Sequence, residues 1–201
     1  MKKVTMRVIS LIMAVSLMFV FSGCGEVKKA ETAVAGMFES FKALDFEKAR
    51  EYVNVDEIRP GSSGAMTGNM EMFMKNLFDK LTYEIVSSEK IDSNTVNVNT
   101  KITAIDMKPV FSEFFTAALQ YAMASAFANP QPTEAETAKK MEELFVASAS
   151  KPDLATVTNE VVIKVVKGED GWKIASDETL SDALLGGITA AINDINNIFS
   201  K

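Results

Sequence analysis

Residues 155–174 read ATVTNEVVIKVVKGEDGWKI, and the fold follows from this stretch. Apolar and polar residues alternate across residues 157–165, which is the period of a strand with one buried face. Gly168-Glu169-Asp170-Gly171 interrupts the alternation with the residue types that a tight turn requires. Trp172 and Ile174 then resume it. The stretch therefore predicts a β-hairpin with a large aromatic side chain on its returning strand.

A second β region lies earlier in the chain. Residues 81–90 are rich in strand-forming types, and Asp92-Ser93-Asn94 follows them with turn chemistry. Residues 95–106 alternate again, with Val96, Val98 and Ile102 on one predicted face. This region therefore predicts two strands joined by a turn, the second with one apolar face.

Helical periodicity fills most of the remaining chain. Asp45 is placed as an N-cap, and Thr133-Glu134-Ala135-Glu136 has the pattern of a capping box. Residues 59–64 are rich in Pro, Gly and Ser and predict a loop, and Gly186-Gly187 weakens the centre of the last helix. Apolar residues at three- and four-residue spacing predict helices over residues 27–43, 46–52, 67–80, 110–128, 133–150 and 178–199.

The order of these elements points to a known superfold. The break at Leu44-Asp45-Phe46-Glu47-Lys48-Ala49 and the later Asp170-Gly171-Trp172-Lys173-Ile174 are its marks in this chain. The chain resembles nuclear-transport-factor-two-like (cystatin-like) domains, and more narrowly the uncharacterised Gram-positive lipoproteins that carry such a domain. The resemblance implies an α+β fold in which helices pack on a curved, cone-shaped antiparallel sheet. The helical pair at residues 109–150 and the C-terminal helix are additions to that fold.

The first 23 residues have the layout of a secretory signal. Lys2, Lys3 and Arg7 precede an apolar run over residues 8–21. As a helix this run spans roughly 21 Å, which is short of the roughly 30 Å hydrocarbon core of a bilayer. A permanent membrane span is therefore not expected.

The run ends in Phe21-Ser22-Gly23-Cys24, which resembles the lipobox of bacterial lipoproteins although Phe21 replaces the usual leucine. Small residues admit the backbone to the signal peptidase, and the thiol of Cys24 accepts a diacylglyceryl group as a thioether. Two acyl chains anchor a protein stably, because each buried CH₂ contributes about 0.8 kcal/mol. We expect a signal peptide at residues 1–23, a lipidated Cys24 with a short tether at residues 24–30, and one domain at residues 31–201. The domain is expected at the extracytoplasmic face of the cell membrane.

Composition excludes several classes of function. The chain has one cysteine and no histidine, so intrachain disulfides, Ser-His-Asp catalysis and histidine-based zinc sites are excluded. The net charge is −6, and the leader contributes three cations, so the remaining side chains sum to −9. This acidic body disfavours nucleic acid and anionic membrane surfaces. We expect no cofactor, no metal and no identifiable catalytic residue.

Two candidate sites have competing interpretations. Tyr83 and Trp172 either line a ligand pocket or fill the core beneath the helices, and the core is favoured. Residues 110–128 carry no charge except Glu113, so this helix is either buried, which is favoured, or presents an apolar face to a partner or lipid. The methionines at 70, 72 and 74 invite a copper(I) site, but Met70 and Met74 share a helical face that Met72 does not, and core packing is favoured.

Two functions remain open. The first is an interaction domain that binds an envelope protein, another envelope component or a small apolar ligand. The second is a carboxylate-based isomerase or hydrolase, because nuclear-transport-factor-two-like folds include ketosteroid isomerases. Asp92, Asp106, Asp170 and Asp177 fall at predicted turns or strand ends, where capping of backbone N–H groups is their expected role.

Overall fold

The structure, a computed structural model, describes residues 25–55, 68–189, 191 and 193. It confirms the predicted α+β class with helices packed on a curved antiparallel sheet. The lipobox, the loop predicted at residues 59–64 and most of residues 190–201 lie outside the described residues. The described elements are α1 Gly25–Lys42, α2 Phe46–Ala49, α3 Gly68–Asp79, β1 Thr82–Lys90, β2 Thr95–Ile105, α4 Met107–Ala126, α5 Glu134–Ala149, β3 Thr156–Gly168, β4 Gly171–Ala175 and α6 Glu178–Leu184.

The four strands form one antiparallel sheet in the order β1-β2-β3-β4. Val98 of β2 lies opposite Ile163 of β3, which brings the two apolar alternations onto the same face. Gly168 and Gly171 close the β3–β4 hairpin, and Gly171 has a φ of 117°, a conformation that favours glycine. The predicted hairpin at residues 155–174 is therefore confirmed.

Helix α1 packs across the apolar face of the sheet. The ring of Phe38 stacks on that of Tyr83 in β1 with centroids 4.2 Å apart, and Phe41 stacks on Phe78 of α3 at 5.3 Å. Burying a side chain of this size contributes about 1.5–3 kcal/mol, so these contacts are a main source of stability. The sheet's contribution to the core includes Val96, Val98, Ile102, Val161, Ile163, Val165, Trp172 and Ile174.

The opposite face of the sheet is polar. Glu84, Lys101 and Glu160 lie side by side on β1, β2 and β3, and Thr103 and Thr158 share a hydrogen bond of 2.7 Å. Opposite charges on neighbouring strands stabilise a sheet modestly. This face is the polar half of the alternation seen in the sequence.

Helix α1 ends at the position that the sequence indicates. Leu44 has a φ of 55°, its N–H donates to the carbonyl of Phe41, and the N–H of Asp45 donates to the carbonyl of Ser40. This bond pattern is a Schellman motif. The Asp45 carboxylate then accepts from the N–H of Lys48 at 3.0 Å, which confirms Asp45 as the N-cap of α2.

The first helix begins earlier than predicted. The sequence places its start near residue 27 after a tether, but α1 begins at Gly25 and Ala30 is fully buried. Lys90, at the end of β1, donates to the Glu26 carboxylate at 2.7 Å and fixes the first turn to the sheet. Residues 25–29 are therefore part of the folded domain rather than a flexible tether.

The prediction of one uninterrupted last helix is wrong. Helix α6 ends at Leu184, and the next two glycines have φ values of 65° for Gly186 and 80° for Gly187. The N–H of Gly187 donates to the carbonyl of Asp182 at 2.8 Å, and that of Gly186 to Ala183 at 3.4 Å. This is a second Schellman motif, with glycine at the left-handed position where it is most common.

A candidate interaction surface on the helical hairpin

Helices α4 and α5 form a helical hairpin whose base is held by an aromatic cluster. Phe145 of α5 is its centre, with ring centroids 5.0 Å from Phe73 of α3, 5.6 Å from Phe111 and 5.6 Å from Phe114. These rings meet edge to face or tilted, the arrangements that aromatic quadrupoles favour. The cluster therefore joins both helices of the hairpin to the α3 side of the domain.

Polar contacts fix the start of α4. Asp106 caps the helix by accepting from the N–H of Lys108 at 3.0 Å, and the N–H of Met107 donates to the carbonyl of Gly186 at 2.9 Å. Glu113 pairs with Lys151 just beyond α5, with Nζ and Oε2 2.6 Å apart. The base of the hairpin is thus held at several points.

The second helix of the hairpin begins with the predicted capping box. The Thr133 hydroxyl accepts from the N–H of Glu136, and the Glu136 carboxylate accepts from the N–H of Thr133 at 2.8 Å. The backbone N–H and the hydroxyl of Thr133 both donate to this carboxylate, which holds the pKa of Glu136 below its ordinary value. The cap fixes the start of α5 at the tip of the hairpin, where α4 ends.

The expectation that the segment at residues 110–128 is buried is wrong. Met107 and Val110, in the first turn of α4, are the helix's buried residues, and the side chains that follow are half-buried or exposed. The alternative that the sequence left open, an apolar face turned outwards, is the one that the structure shows. A strongly apolar helix is expected to pack against another apolar surface, but its sequence alone does not identify that surface.

Three large apolar side chains are aligned on the outer side of α4. Leu119 is 51% exposed, Met123 is 61% exposed, and Phe127, the C-cap, is 89% exposed. They follow one another at intervals of four residues, so they share one side of the helix. We name Leu119, Met123 and Phe127 the hairpin ridge. These water-exposed apolar groups form an apolar patch, which makes the ridge a candidate interaction surface.

The chain on either side of the hairpin ridge carries no charge over residues 114–133. Residues 114–133 contain no Asp, Glu, Lys or Arg, and Glu113, just before them, is neutralised by Lys151. Ala122 and Ala126 lie beside the ridge and are exposed. The stretch around the ridge is therefore largely apolar and uncharged, with small side chains on one side of the ridge, which suits an apolar partner and not an ionic one.

The predicted pocket residues are on opposite edges of the sheet. Tyr83 on β1 and Trp172 on β4 are separated by about 14 Å across the strands and, through their partners Asn159 and Lys167, by about 26 Å along β3. Trp172 is buried within the core, and Tyr83 is half-buried against Phe38. Burial, with the charge of Glu39 as a smaller cause, raises the pKa of Tyr83. Their positions match the core-filling interpretation more closely than a shared pocket.

Three of the four candidate carboxylates, Asp92, Asp106 and Asp177, accept hydrogen bonds from backbone N–H groups. Asp92 accepts from the N–H of Asn94 at 2.7 Å, which holds the pKa of Asp92 below its ordinary value, and Asp177 accepts from the N–H of Leu180 at 2.8 Å. Together with Asp106 at α4, they have the role expected from the sequence. Within the described part of the chain, the buried polar residues are Ser40, Thr100 and Ser148, and no carboxylate is among them.

Core packing is confirmed for Met74 but is wrong for Met72. Met74 is buried in the core, and Met72 is 54% exposed on another side of α3. The side chain of Met70 lies outside the described residues. Among the residues that are described, no group of three or more His, Cys, Asp and Glu could hold a metal ion.

The lipobox residues Phe21, Ser22, Gly23 and Cys24 lie outside the described residues, so their predicted roles stay predictions. None of the helices within residues 25–55 and 68–189 combines the length and apolar character needed to cross a membrane. The hairpin therefore presents its apolar ridge on a helix that does not meet the requirements of a membrane span.

Comparisons with known proteins leave the family open. A scan of protein families finds no model that matches the chain, and a search of curated proteins finds no match. Among solved structures, the chain is similar to a crystal structure of a Bacillus subtilis protein, ycdA, whose description assigns it provisionally to the lipoproteins. The similarity has a TM-score of 0.48 at 13% identity and covers 79% of this chain and 56% of that chain. The chain thus spans little more than half the length of that structure.

Proposed function

We propose that the chain is a lipoprotein of the bacterial cell envelope, anchored to the extracytoplasmic face of the cell membrane through Cys24. The proposal rests on the order of features in the leader: three cations, an apolar run, two small residues and the only cysteine. The two acyl chains of one diacylglyceryl group, held by a thioether to Cys24, supply the anchor without a membrane-spanning helix. An acidic body of charge −9 adds no attraction to anionic lipid.

We propose further that the domain acts by binding rather than catalysis, and that its binding surface is the hairpin ridge. The exposure of Leu119, Met123 and Phe127 within residues 114–133, a stretch without charged residues, is the observation that carries this proposal. Keeping such side chains in water is unfavourable by about 25 cal/mol for each Å² of apolar surface. The ligand is accordingly an apolar surface, of an envelope protein or of a small molecule.

The fold relationship is also a proposal. Helix α1 across an antiparallel sheet, and a closing β3–β4 hairpin with Trp172 inside, support a nuclear-transport-factor-two-like domain. The helical hairpin is then an addition to that fold, and the binding surface lies on the addition. The alternative, carboxylate catalysis within the sheet, gains no support from the described residues, whose buried polar groups are hydroxyls.

Metabolic labelling tests the anchor. Cys24→Ala in the full chain should abolish incorporation of labelled palmitate and leave an unprocessed precursor, because no other thiol is present to accept a lipid. Ser16→Ala, within the apolar run, is the matched control and should be labelled like the native chain. Undiminished labelling of Cys24→Ala would refute the anchor.

Binding at the hairpin ridge is tested separately. Phe127→Asp changes a side chain that is 89% exposed, so it should leave folding intact and remove capture of an apolar partner. Lys139→Asp, an exposed change on α5, is the control for added negative charge. Photocrosslinking from position 126 in intact cells, compared between the two variants, reads out the contact.

A further inference from the structure

We infer that the end of the domain next to Cys24 is a second interaction surface, which contacts the phospholipid headgroups of the anchoring membrane and inserts the side chain of Ile91 among them. The inference deepens the proposed anchoring through Cys24 and rests on it. It does not involve the hairpin ridge. Its basis is the start of α1 at Gly25, together with the exposure and the charge of the residues around that start.

The start of α1 and two turns of the sheet lie at one end of the domain. The Lys90 ammonium, at the end of β1, donates to the Glu26 carboxylate at 2.7 Å, and the N–H of Lys167 in β3 donates to the carbonyl of Asn94 at 2.8 Å. These contacts bring the β1–β2 turn and the β3–β4 turn beside the first turn of α1. We name this end the anchor face, which consists of residues 25–29, 90–94 and 167–171.

The anchor face lies within reach of the headgroup layer. The chain from Cys24 to Glu26 extends at most about 7 Å, and Glu26 is bound to Lys90, the neighbour of Ile91. The acyl chains of Cys24 belong in the hydrocarbon, above which the headgroup layer is about 5–8 Å deep. A domain that stands over its anchor therefore places these turns against the headgroups.

Ile91 is a large apolar side chain that the anchor face exposes. It is 51% exposed at the start of the β1–β2 turn. The turn is fixed, because the N–H of Ile91 donates to the carbonyl of Thr95 at 3.0 Å and the Asp92 carboxylate accepts from the N–H of Asn94 at 2.7 Å. An apolar side chain on a fixed turn beside a lipid anchor suits insertion at the boundary of headgroups and acyl chains.

The anchor face is neutral although the domain is strongly acidic. Its four cations and four anions cancel, and they are Lys28, Lys29, Lys90 and Lys167, and Glu26, Asp92, Glu169 and Asp170. The side chains after the leader sum to −9, so the rest of the domain carries all of that charge. Anionic headgroups repel acidic surface within a screening length of about 8 Å. Charge therefore favours contact through the anchor face over contact through the acidic sides of the domain.

The helical hairpin starts from the opposite end of the sheet. Strand β2 begins at Thr95, beside the anchor face, and ends at Ile105, which is about 33 Å away at about 3.3 Å per residue. Helix α4 begins just beyond it, at Met107. Contact through the anchor face thus keeps the base of the hairpin away from the bilayer.

Fluorescence quenching in membranes tests the contact with the full chain, acylated at Cys24. The protein is reconstituted in vesicles of phosphatidylethanolamine and phosphatidylglycerol, and Ile91→Cys carries a nitrobenzoxadiazole label. Cys24 is the only native thiol and the expected lipid acceptor, so the label is specific. Val162→Cys is the matched control, because Val162 is also β-branched and 56% exposed but lies opposite Asn99 on the polar face of the sheet. Met123→Cys reports on the hairpin ridge.

We expect brominated phospholipids to quench the label at residue 91 at least about threefold more than labels at residues 162 and 123, because inserted groups lie about 5–10 Å into the headgroup and acyl boundary. The emission from residue 91 should also shift to shorter wavelength on reconstitution, as the label leaves water. Both results together support the contact.

A charge change tests the role of the neutral anchor face. Lys29→Glu lowers its net charge from zero to −2 and should reduce quenching at residue 91 by about half or more in these anionic vesicles. The reduction should be absent in vesicles of phosphatidylethanolamine and phosphatidylcholine. Lys139→Glu makes the same change on α5 and should have no effect. An equal effect of the two variants would overturn contact through the anchor face.

Other outcomes overturn the inference in distinguishable ways. Quenching at residue 162 or 123 that equals or exceeds quenching at residue 91 shows that another side of the domain meets the bilayer. Absence of quenching at residue 91, in a chain that incorporates labelled palmitate, ends the inference and retains the proposed anchor. Incorporation of palmitate into Cys24→Ala at the native level shows that the anchor and the anchor face are both wrong.

Discussion

The carbonyl oxygen of Gly186 accepts a hydrogen bond from the backbone N–H of Met107 at 2.9 Å. The turn after α6 thereby holds the first residue of the helical hairpin. The approach is so close that a Cβ at Gly186 would run into the carbonyl oxygen of Ile105. This turn and the strand-to-helix junction at residues 105–107 therefore have to fold together.

Gly186→Ala should be among the most destabilising single changes in the described chain. It combines left-handed backbone strain with a clash against main chain that cannot move aside. We therefore expect the free energy of unfolding to fall by about 3 kcal/mol or more. Thermal unfolding should show a decrease in Tm of about 2–4 °C for each kcal/mol.

Gly187→Ala is the matched control. Gly187 also has a positive φ, 80°, but a Cβ there would meet no atom within 4 Å. Gly187→Ala should lower the free energy of unfolding only by the backbone strain, about 1–2 kcal/mol. Equal losses for the two variants would contradict the close approach of Gly186 to Ile105.

A second pair of variants tests the contact between α1 and the segment that follows α2. A Cβ at Gly36 would meet the ring of Tyr52, with Cε2 at 2.7 Å, and the backbone of Tyr52 is held because its carbonyl accepts from Ile174. Gly36→Ala should therefore destabilise by about 1–2 kcal/mol despite alanine's higher helix propensity. Chemical denaturation provides the measurement.

The sign of this effect should reverse when the ring is absent. In a Tyr52→Ala background the clash is gone, and Gly36→Ala should stabilise by up to about 1 kcal/mol through helix propensity. A double-mutant cycle measures the coupling. The same loss in both backgrounds would show that the Tyr52 ring does not lie over Gly36.

Acid should weaken the attachment of the first turn of α1. The hydrogen bond and charge of Lys90 hold the pKa of Glu26 below the ordinary value of a glutamate. Because the pKa is lower in the folded state, the stabilisation is present above the unfolded pKa and is lost as pH falls through the folded pKa. Glu26→Gln should therefore lower Tm near pH 7 and make no difference at about pH 2–3.

Lys90→Gln should show the same pH dependence as Glu26→Gln, because each variant removes one member of the pair. If the decrease in Tm caused by Glu26→Gln persists unchanged in acid, the Glu26–Lys90 pair is not its cause. Salt should reduce the effect near neutral pH, since both side chains are exposed to solvent.

The aromatic cluster should control the docking of the hairpin. Phe145→Ala removes the ring that contacts Phe73, Phe111 and Phe114, and we expect a loss of about 2–4 kcal/mol. Amide hydrogen exchange should rise more in α4 and α5 than in the sheet, because this cluster joins the hairpin to the domain.

Phe127→Ala is the control for the size of the side chain removed. Phe127 is 89% exposed, so the change should stay within about 0.5 kcal/mol of the native stability. Uniform exchange across the hairpin and the sheet in Phe145→Ala would contradict local docking by the cluster.

Most of the fold could be predicted from local patterns. Alternation placed β2 at residues 95–106, where the structure has Thr95–Ile105, and the capping box placed α5 within one residue at each end. Such features depend on neighbours in sequence, which is why the sequence contains them. The Schellman turn at Leu44 belongs to the same class.

The errors concern relations between distant segments. The exposure of α4 depends on the absence of a covering element over its outer side among the described residues, which composition cannot show. The break at Gly186 depends on how closely Ile105 approaches it, and an isolated helix would only be weakened there. The hairpin ridge had a signal, since a helix apolar on several sides needs either full burial or a partner, but the pattern did not decide between them.

The early start of α1 has a consequence for motion. If Cys24 is acylated, the next residue already belongs to a helix that is secured to the sheet through Glu26 and Lys90. The domain then has no flexible tether. Its height above the bilayer is fixed, and its orientations are restricted to a narrow range about the anchor. Such a domain reaches its target by lateral diffusion in the membrane, and it contacts only molecules at the same height above the bilayer.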